Sequence, residues 1–177
     1  MNNKTTIAFL AGLVLVAAGC RWGGIMGNGH IVTDTRSVSD FSEIEADGGF
    51  QIEWRSGPPS LSITTDENLL RYIDNQNIDH RLRLHSHGNI WSSHGIKVAI
   101  SSSTRAGAKL TGASRLEAES LQTKTAEISS TGASHAEVAV SESLKVSITG
   151  AGKVIYSGNP PVVEKHISGA GSIRHKE

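Results

Sequence analysis

Apolar and polar residues alternate along several short segments of the chain. The alternation is clearest at residues 50–54, 61–63 and 82–84, where every second residue is Phe, Ile, Trp or Leu. A period of two residues is typical of a β-strand that buries one face. Between these segments, the acidic start and the leucines of residues 66–74 predict one short helix, which Thr65 or Asp66 could cap.

The second half of the chain is repetitive. Four similar segments, each containing a Gly-Ala pair after a β-branched or hydroxyl residue, place glycines at Gly112, Gly132, Gly150 and Gly169, with spacings of 20, 18 and 19 residues. A period near 20 with β-branched residues and no helical periodicity is typical of a β-solenoid. The sequence therefore predicts an all-β parallel solenoid with coils of about 20 residues. We expect the four glycines to stack at one corner of it.

The alternation around each glycine predicts which side chains face inward. Positions two and four residues before the glycine and four and six after it are mostly apolar in three coils, as in Leu110, Leu116, Ile148 and Val154. The last coil instead has Lys165 and His175 at such positions. Polar residues there are what a terminal coil needs, because its open edge would otherwise pair with other strands.

The composition limits the classes of function. The chain has 177 residues, which suggests one domain. Its 17 basic and 17 acidic residues balance, so no net charge favours nucleic acid as a partner. The 19 glycines and the aromatic content of 5% suit a thin architecture of small stacked residues rather than a thick core.

The N-terminal residues are typical of a bacterial lipoprotein signal. A polar start containing Lys4 precedes an apolar run at residues 7–18, which is too short to span a bilayer and is followed by Ala-Ala-Gly-Cys. This end resembles the lipobox, which implies that Cys20 receives the lipid. The alternative is an ordinary cleaved signal followed by a free thiol. Arg21, in place of the aspartate that retains lipoproteins in the inner membrane, favours the outer membrane. We expect a signal peptide at 1–19, a glycine-rich tether at 20–29 and a single domain at 30–177.

Three histidines form the one group with metal-ligand chemistry. His85 and His87 would share one face of a strand, and His94 follows nearby. A turn at Gly88-Asn89 and the lack of a cysteine or a nearby carboxylate in the sequence favour a solvated polar loop. We therefore expect no metal and no cofactor.

The sequence contains no recognisable catalytic motif. Ser114, Ser134, His135 and Glu137 are candidates for a hydrolase, but the exposed-serine motif G-x-S-x-G is absent. Many polysaccharide-cleaving enzymes are parallel β-helices, which makes them the proper enzyme alternative. They need converging carboxylates, whereas the acidic residues of the repeats occur singly: Glu117, Glu119, Glu127, Glu137 and Glu142.

Taken in order, several segments resemble the bacterial head-GIN-domain family of autotransporter adhesins. They are residues 40–44, 49–52, 65–70, 82–84 and 96–100, followed by the repeated Thr-Gly-Ala-Ser. The resemblance covers about residues 28–177 and implies a right-handed parallel β-helix, often behind a lipoprotein signal.

These observations together predict a non-catalytic, lipid-anchored protein of the cell envelope, placed in the outer membrane of a Gram-negative bacterium. It would act as an adhesin or a structural binding module. The alternative is a carbohydrate-binding or polysaccharide-cleaving β-helix protein. The expected partners are the membrane, through the anchor, and an envelope protein or glycan, but not nucleic acid. The oligomeric state is left open.

Overall fold

The computed structural model describes residues 23–103 and 107–176, which form fifteen strands and one 3₁₀ helix. The first eight strands are β1 Ile25–Met26, β2 Ile31–Arg36, β3 Glu43–Gly48, β4 Phe50–Ser56, β5 Ser60–Asp66, β6 Ile73–Ile78, β7 Arg81–Ser86 and β8 Ile90–Trp91. The 3₁₀ helix Glu67–Tyr72 lies between β5 and β6. The others are β9 Ile96–Ser102, β10 Gly107–Gly112, β11 Arg115–Gly132, β12 His135–Gly150, β13 Lys153–Ser157, β14 Val162–Gly169 and β15 Ser172–Lys176.

Thirteen strands of the described chain belong to one mixed sheet, while β1 and β8 pair separately. The sheet has two parts, which we call wing 1 and wing 2. Wing 1 runs through β2, β5, β9 and β4 to the first parts of β11 and β12, then to β13 and β15. Wing 2 runs through β6, β7, β3 and β10 to the second parts of β11 and β12, then to β14. The two long strands β11 and β12 therefore join the wings.

The predicted right-handed parallel β-helix is wrong. The β2–β5, β5–β9 and β6–β7 pairs are antiparallel, so the sheet is mixed and curls into a half-barrel instead of winding as a parallel solenoid. The repeat of about 20 residues begins only at β10, whereas the earlier chain reverses direction. One reversal is the two-residue turn between β6 and β7, where Asp79 and His80 have φ values of 52° and 59°. Positive φ at both central residues is the geometry of a tight hairpin turn.

The alternation predicted the inward side chains of the repeats correctly. These side chains are buried, with at most 1% of the residue exposed in each case: Leu110, Leu116, Ile148 and Val154. Lys165 and His175 occupy equivalent positions on the outermost strands β14 and β15, where both side chains are exposed. The side chains therefore become more exposed towards the last strand of each wing.

Apolar side chains from both wings form one core. Its tryptophan and both its phenylalanines are in the first half, where Phe41 and Trp54 lie with their ring centroids 5.9 Å apart. The indole Nε1 of Trp54 donates to the hydroxyl of Ser102 across 2.9 Å, which satisfies a buried polar group. Between the second parts of the wings the core consists mainly of alanine and aliphatic side chains, among them Ala126, Ile128, Leu144 and Val146.

Two local expectations differ from what the structure contains. The helix predicted near residues 66–74 is the 3₁₀ helix Glu67–Tyr72, and Asp66 does not cap it with its side chain. Within the predicted tether at 20–29, Ile25 and Met26 form β1 and pair with β8. Among the described residues, no helix is long and apolar enough to cross a membrane.

Candidate functional site

Cys20, the predicted lipid-attachment residue, lies outside the residues that the structure describes. The first described residue is Gly23, three positions later. The described residues form the folded domain that follows the expected anchor.

The four repeated glycines lie side by side. Register pairs join Gly112 to Gly132, Gly132 to Gly150 and Gly150 to Gly169, and all four have positive φ. Gly48 extends this column, because it pairs with Gly112 and also has positive φ. Gly48 is not recognisable as part of the repeat in the sequence, because Gly49 and Phe50 follow it in place of Ala-Ser. We call this column, with the residue after each glycine, the glycine corner.

Buried hydroxyls support the glycine corner from inside. The Ser114 hydroxyl donates to the Gly48 carbonyl across 3.0 Å, and the Ser130 hydroxyl donates to that of Ser134 across 3.1 Å. Ser114 and Ser134 are almost fully buried. Their hydroxyls therefore hold the bend of the chain and are not placed as exposed nucleophiles.

The structure brings His85 and His87 together. Their rings lie 4.7 Å apart in an edge-to-face arrangement, and each has a carboxylate partner. His85 Nδ1 is 3.2 Å from Asp47 Oδ2, and His87 Nε2 is 2.6 Å from Asp74 Oδ2. The hydrogen bond from His87 lowers the pKa of Asp74 below its ordinary value.

His94 does not join this pair and instead lies 2.9 Å from the Ser93 hydroxyl. The residues that the structure describes contain no group of three histidine, cysteine or acidic side chains arranged to hold a metal ion. The histidine pair and its carboxylates border an open depression of about 350 Å³ together with Glu45, Gln76 and Arg83. This depression has the character of a polar binding surface.

The same histidine pair lies at one side of a larger polar surface, the wing 2 outer face. Its aligned outward residues are Arg81, Arg83 and His85 on β7, Glu43, Glu45 and Asp47 on β3, Lys109 and Thr111 on β10, Glu127, Ser129 and Thr131 on β11, and Lys145, Ser147 and Thr149 on β12.

Acidic and basic groups alternate across this face. Arg81 donates twice to Glu43 (2.8 and 2.6 Å), while Glu45 accepts from Lys109 (2.8 Å) and from Arg83 (3.1 Å). The hydrogen bond from Lys109 holds the pKa of Glu45 below its usual value, and Glu43 raises the pKa of Arg81. Exposed ion pairs of this kind contribute only about 0–1 kcal/mol each to stability. These pairs therefore add little to the stability of the fold.

On β11 and β12 the outward residues nearest the glycine corner are hydroxyl side chains, while Glu127 and Lys145 form an ion pair at the other end of the face. Thr111, Thr131 and Thr149 are register partners, and Ser129 and Ser147 form a second column beside them. Neighbouring strands lie about 4.8 Å apart, so each column is a regular row of hydrogen-bonding groups. Such a row suits an extended polar ligand.

A column of glutamates crosses the outer face of wing 1. Glu53, Glu117 and Glu137 are register partners on β4, β11 and β12, although they are far apart in sequence. Arg55 donates to Glu53 across 2.7 Å, and His135 Nε2 lies 2.7 Å from Glu137. Glu117 and Glu53 border a depression of about 180 Å³ with Arg115 and Lys97. The repeat places Glu117 and Glu137 at the same position after Gly112 and Gly132, but only the strand pairing brings Glu53 beside them.

The family model described as "Putative auto-transporter adhesin, head GIN domain" matches residues 40–104 and 101–160. No curated protein sequence matches the chain significantly. Similar solved structures include a putative adhesin from Parabacteroides merdae, with 17% identity over 87% of this chain and 99% of that chain and a TM-score of 0.45. A second, a putative cell adhesion protein from Clostridium sporogenes, is 13% identical over 82% of this chain and 100% of that chain, with a TM-score of 0.49.

Proposed function

Because the chain belongs to the head GIN domain family, described as auto-transporter adhesins, we propose that it is a non-catalytic, lipid-anchored adhesin or structural binding module of the cell envelope. The anchor rests on Cys20, which ends a short apolar run after small residues. A lone thiol in an oxidising compartment is a liability unless it is modified, and this supports lipidation. Arg21 favours the outer membrane as the location.

The wing 2 outer face is the binding surface in this proposal. The observation that carries it is the alignment of charged and hydroxyl side chains on five parallel strands. A β-surface presents these groups on a backbone that is already ordered, which lowers the entropic cost of binding. The partner that suits such a surface is itself polar and extended, either a glycan or a segment of an envelope protein.

Cross-linking in intact envelopes tests this proposal. The wild-type protein should give a specific cross-linked product or a signal on a glycan array, and the double variant Thr131→Lys/Thr149→Lys should lose it. Two lysines would break the hydroxyl column and add charge where the ligand lies. Thr35→Lys, an exposed threonine on β2 of wing 1, is the matched control and should keep the signal. Equal binding by all three proteins would contradict the assignment of this face.

Carbohydrate cleavage is the second candidate function, and the glutamate column favours it. Glu53 and Glu117 are on neighbouring strands, where the backbone spacing is about 4.8 Å. Retaining glycosidases place their two carboxyl groups about 5–5.5 Å apart, a distance that two glutamates on one face of adjacent strands can reach by rotation of their side chains. A reducing-end assay on envelope polysaccharides separates the candidates. Turnover that is lost in Glu117→Gln would support the enzyme and refute the non-catalytic proposal.

A further inference from the structure

The segment that follows the expected anchor is fixed to the domain by β1. The backbone N–H of Ile25 donates to the Asn89 carbonyl across 2.7 Å, and that of Gly27 donates to the Trp91 carbonyl across 2.8 Å. The Asn68 amide donates to the Met26 carbonyl across 2.8 Å. Residues 25–27 therefore have a defined position on the domain surface.

This attachment leaves large apolar side chains in solvent. Met26 and Trp91 are register partners on β1 and β8, so their side chains lie on the same side of the strand pair. They are 70% and 55% exposed. Ile90, one residue before Trp91, faces the other way and packs against the core. The exposed pair is not explained by packing within the domain.

Gly24 completes this surface, which we call the apolar patch: Gly24, Met26 and Trp91. A Cβ atom on Gly24 would overlap the indole ring of Trp91. The absence of a side chain therefore lets the indole lie directly over the backbone of residue 24. The ring therefore contacts the backbone of Gly24 on one side, although more than half of the residue is exposed.

The groove beside the apolar patch is lined by uncharged residues. Trp91 borders an open groove of about 360 Å³ with Gly48, Gly112 and Ala113 of the glycine corner. Along the corner, Ala133 and Ala151 are also exposed. Transfer of charged groups to an apolar environment costs free energy because they must be desolvated, whereas these uncharged side chains avoid that cost.

The distance along the chain determines what the apolar patch can reach. Cys20 is three residues before Gly23, and each residue spans at most about 3.6 Å, so the two are at most about 11 Å apart. A lipidated Cys20 would hold the start of the described domain at the level of the lipid headgroups. We propose that the apolar patch docks onto the bilayer surface beside the anchor; this inference rests on the proposed lipidation of Cys20.

Docking of this kind gives the domain one preferred orientation. Tryptophan is favoured at membrane interfaces, where its apolar ring lies against lipid and its N–H stays hydrated. The glycine corner lies between the wings and would face the membrane, so both outer faces would remain free for a partner. The flexible-tether arrangement, by contrast, would leave Trp91 and Met26 in water.

Quenching of tryptophan fluorescence by brominated lipid acyl chains tests the docking. The full mature protein is reconstituted in vesicles of phosphatidylethanolamine and phosphatidylglycerol, with and without the brominated chain. All proteins carry Trp22→Phe, which leaves Trp91 and the buried Trp54, 3% exposed, as the emitters of the 3 tryptophans in the chain. Bromine should quench Trp91 strongly, and little quenching should remain in Trp91→Phe. Met26→Ser should weaken it severalfold.

The matched control is Ile78→Ser, which removes another apolar side chain, 46% exposed, at the far end of the β6–β7 hairpin. It should leave the quenching unchanged, and circular dichroism should show that every variant is folded. Vesicle-bound protein that carries lipid on Cys20 but emits equally from brominated and plain vesicles would overturn the docking alone. A chain without lipid on Cys20 in palmitate labelling would overturn the anchor and the docking together.

Discussion

Single residues at the glycine corner show how closely the strands approach one another. A Cβ atom on Gly132 would lie 2.7 Å from the carbonyl oxygen of Gly112, and Gly132 has a φ of +99°. A side chain there would clash with the neighbouring strand and would strain its own backbone. The alignment of four of these glycines on neighbouring strands could be predicted because their spacing in the sequence is regular: Gly112, Gly132, Gly150 and Gly169.

Replacement of Gly132 by valine should destabilise the protein by about 1–3 kcal/mol, within the range for backbone strain and overpacking. Thr131→Val is the matched control, since Thr131 is the exposed preceding residue on the same strand. It should change the free energy of unfolding by less than about 0.5 kcal/mol. Urea unfolding followed by circular dichroism measures both. Equal midpoints for the two variants would contradict the packing described at the corner.

Asp66 is a second residue with a structural role, in this case through the hydrogen bonds of its side chain. Its carboxylate is fully buried and accepts hydrogen bonds from the Ser92 hydroxyl and the Gly29 backbone N–H, both across 2.6 Å. These bonds lower the pKa of Asp66 from its ordinary value of 3.8. The ionised carboxylate thus ties the N-terminal segment to the loop that contains β8.

The lowered pKa predicts a pH dependence of stability. Because the folded pKa is below the unfolded one, the contribution of Asp66 is present above an ordinary pKa of 3.8 and is lost as pH falls through the folded pKa. Asp66→Asn should therefore be less stable than wild type at neutral pH, and the difference should shrink in acid. Urea unfolding at a series of pH values measures it. A difference that grows as pH falls would be the wrong sign.

The histidine pair yields a prediction about metal content. His85 and His87 lie beside Asp47 and Asp74, but the described residues contain no group of three histidine, cysteine or acidic side chains arranged to hold a metal ion. Protein purified without an affinity tag should therefore contain no stoichiometric zinc or nickel. Elemental analysis provides the measurement. About one tightly held ion per chain, lost in His85→Ala, would show that these imidazoles do form a site.

At the level of elements, the strands were easier to predict than their partners. Alternation located β4, β5 and β7, because burial of one face leaves a clear period in the sequence. The sequence does not indicate the β6–β7 turn, because Asp79-His80 contains no glycine, although both residues have positive φ. The pairing of β5 with β2 and β9, and the β4–β11 pairing that brings Glu53 into the glutamate column, depend on contacts between distant segments that leave no local pattern.

The outermost strand β14 shows how an exposed edge is kept from pairing. Val162 and Ile167 are 48% and 42% exposed there, while Lys165 lies between them with its Nζ 5.7 Å from the Tyr156 ring centroid. A lysine on an edge strand opposes the addition of another strand, since its charge would have to be desolvated.

Removal of this charge should promote self-association. Lys165→Val would raise the number of apolar residues along β14 from three to four, and larger species that increase with concentration should appear in sedimentation velocity. Lys145→Val, on the interior strand β12, removes an exposed lysine where both edges are already paired and should sediment like wild type. Identical behaviour of both variants would show that Lys165 does not protect the edge.

For the whole molecule, the order of short motifs predicted the family correctly, whereas the repeat predicted the wrong architecture. The family match spans residues 40–160, including the first half, where the repeat is absent. The period seen from Gly112 onwards was extended to the entire domain, but antiparallel pairs at the start make the sheet a mixed half-barrel. The proposed role combines this family membership with the polar outer faces and the expected anchor at Cys20.

Labelling with radioactive palmitate tests the central claim, an envelope protein anchored through Cys20, most directly. Wild-type protein expressed in a Gram-negative host should incorporate the label and fractionate with the outer membrane, because several buried acyl chains, at about 0.8 kcal/mol per methylene, make release negligible. Cys20→Ser should lose the label, although its domain is unchanged. A wild-type chain without label, or a label that persists in Cys20→Ser, would contradict the account.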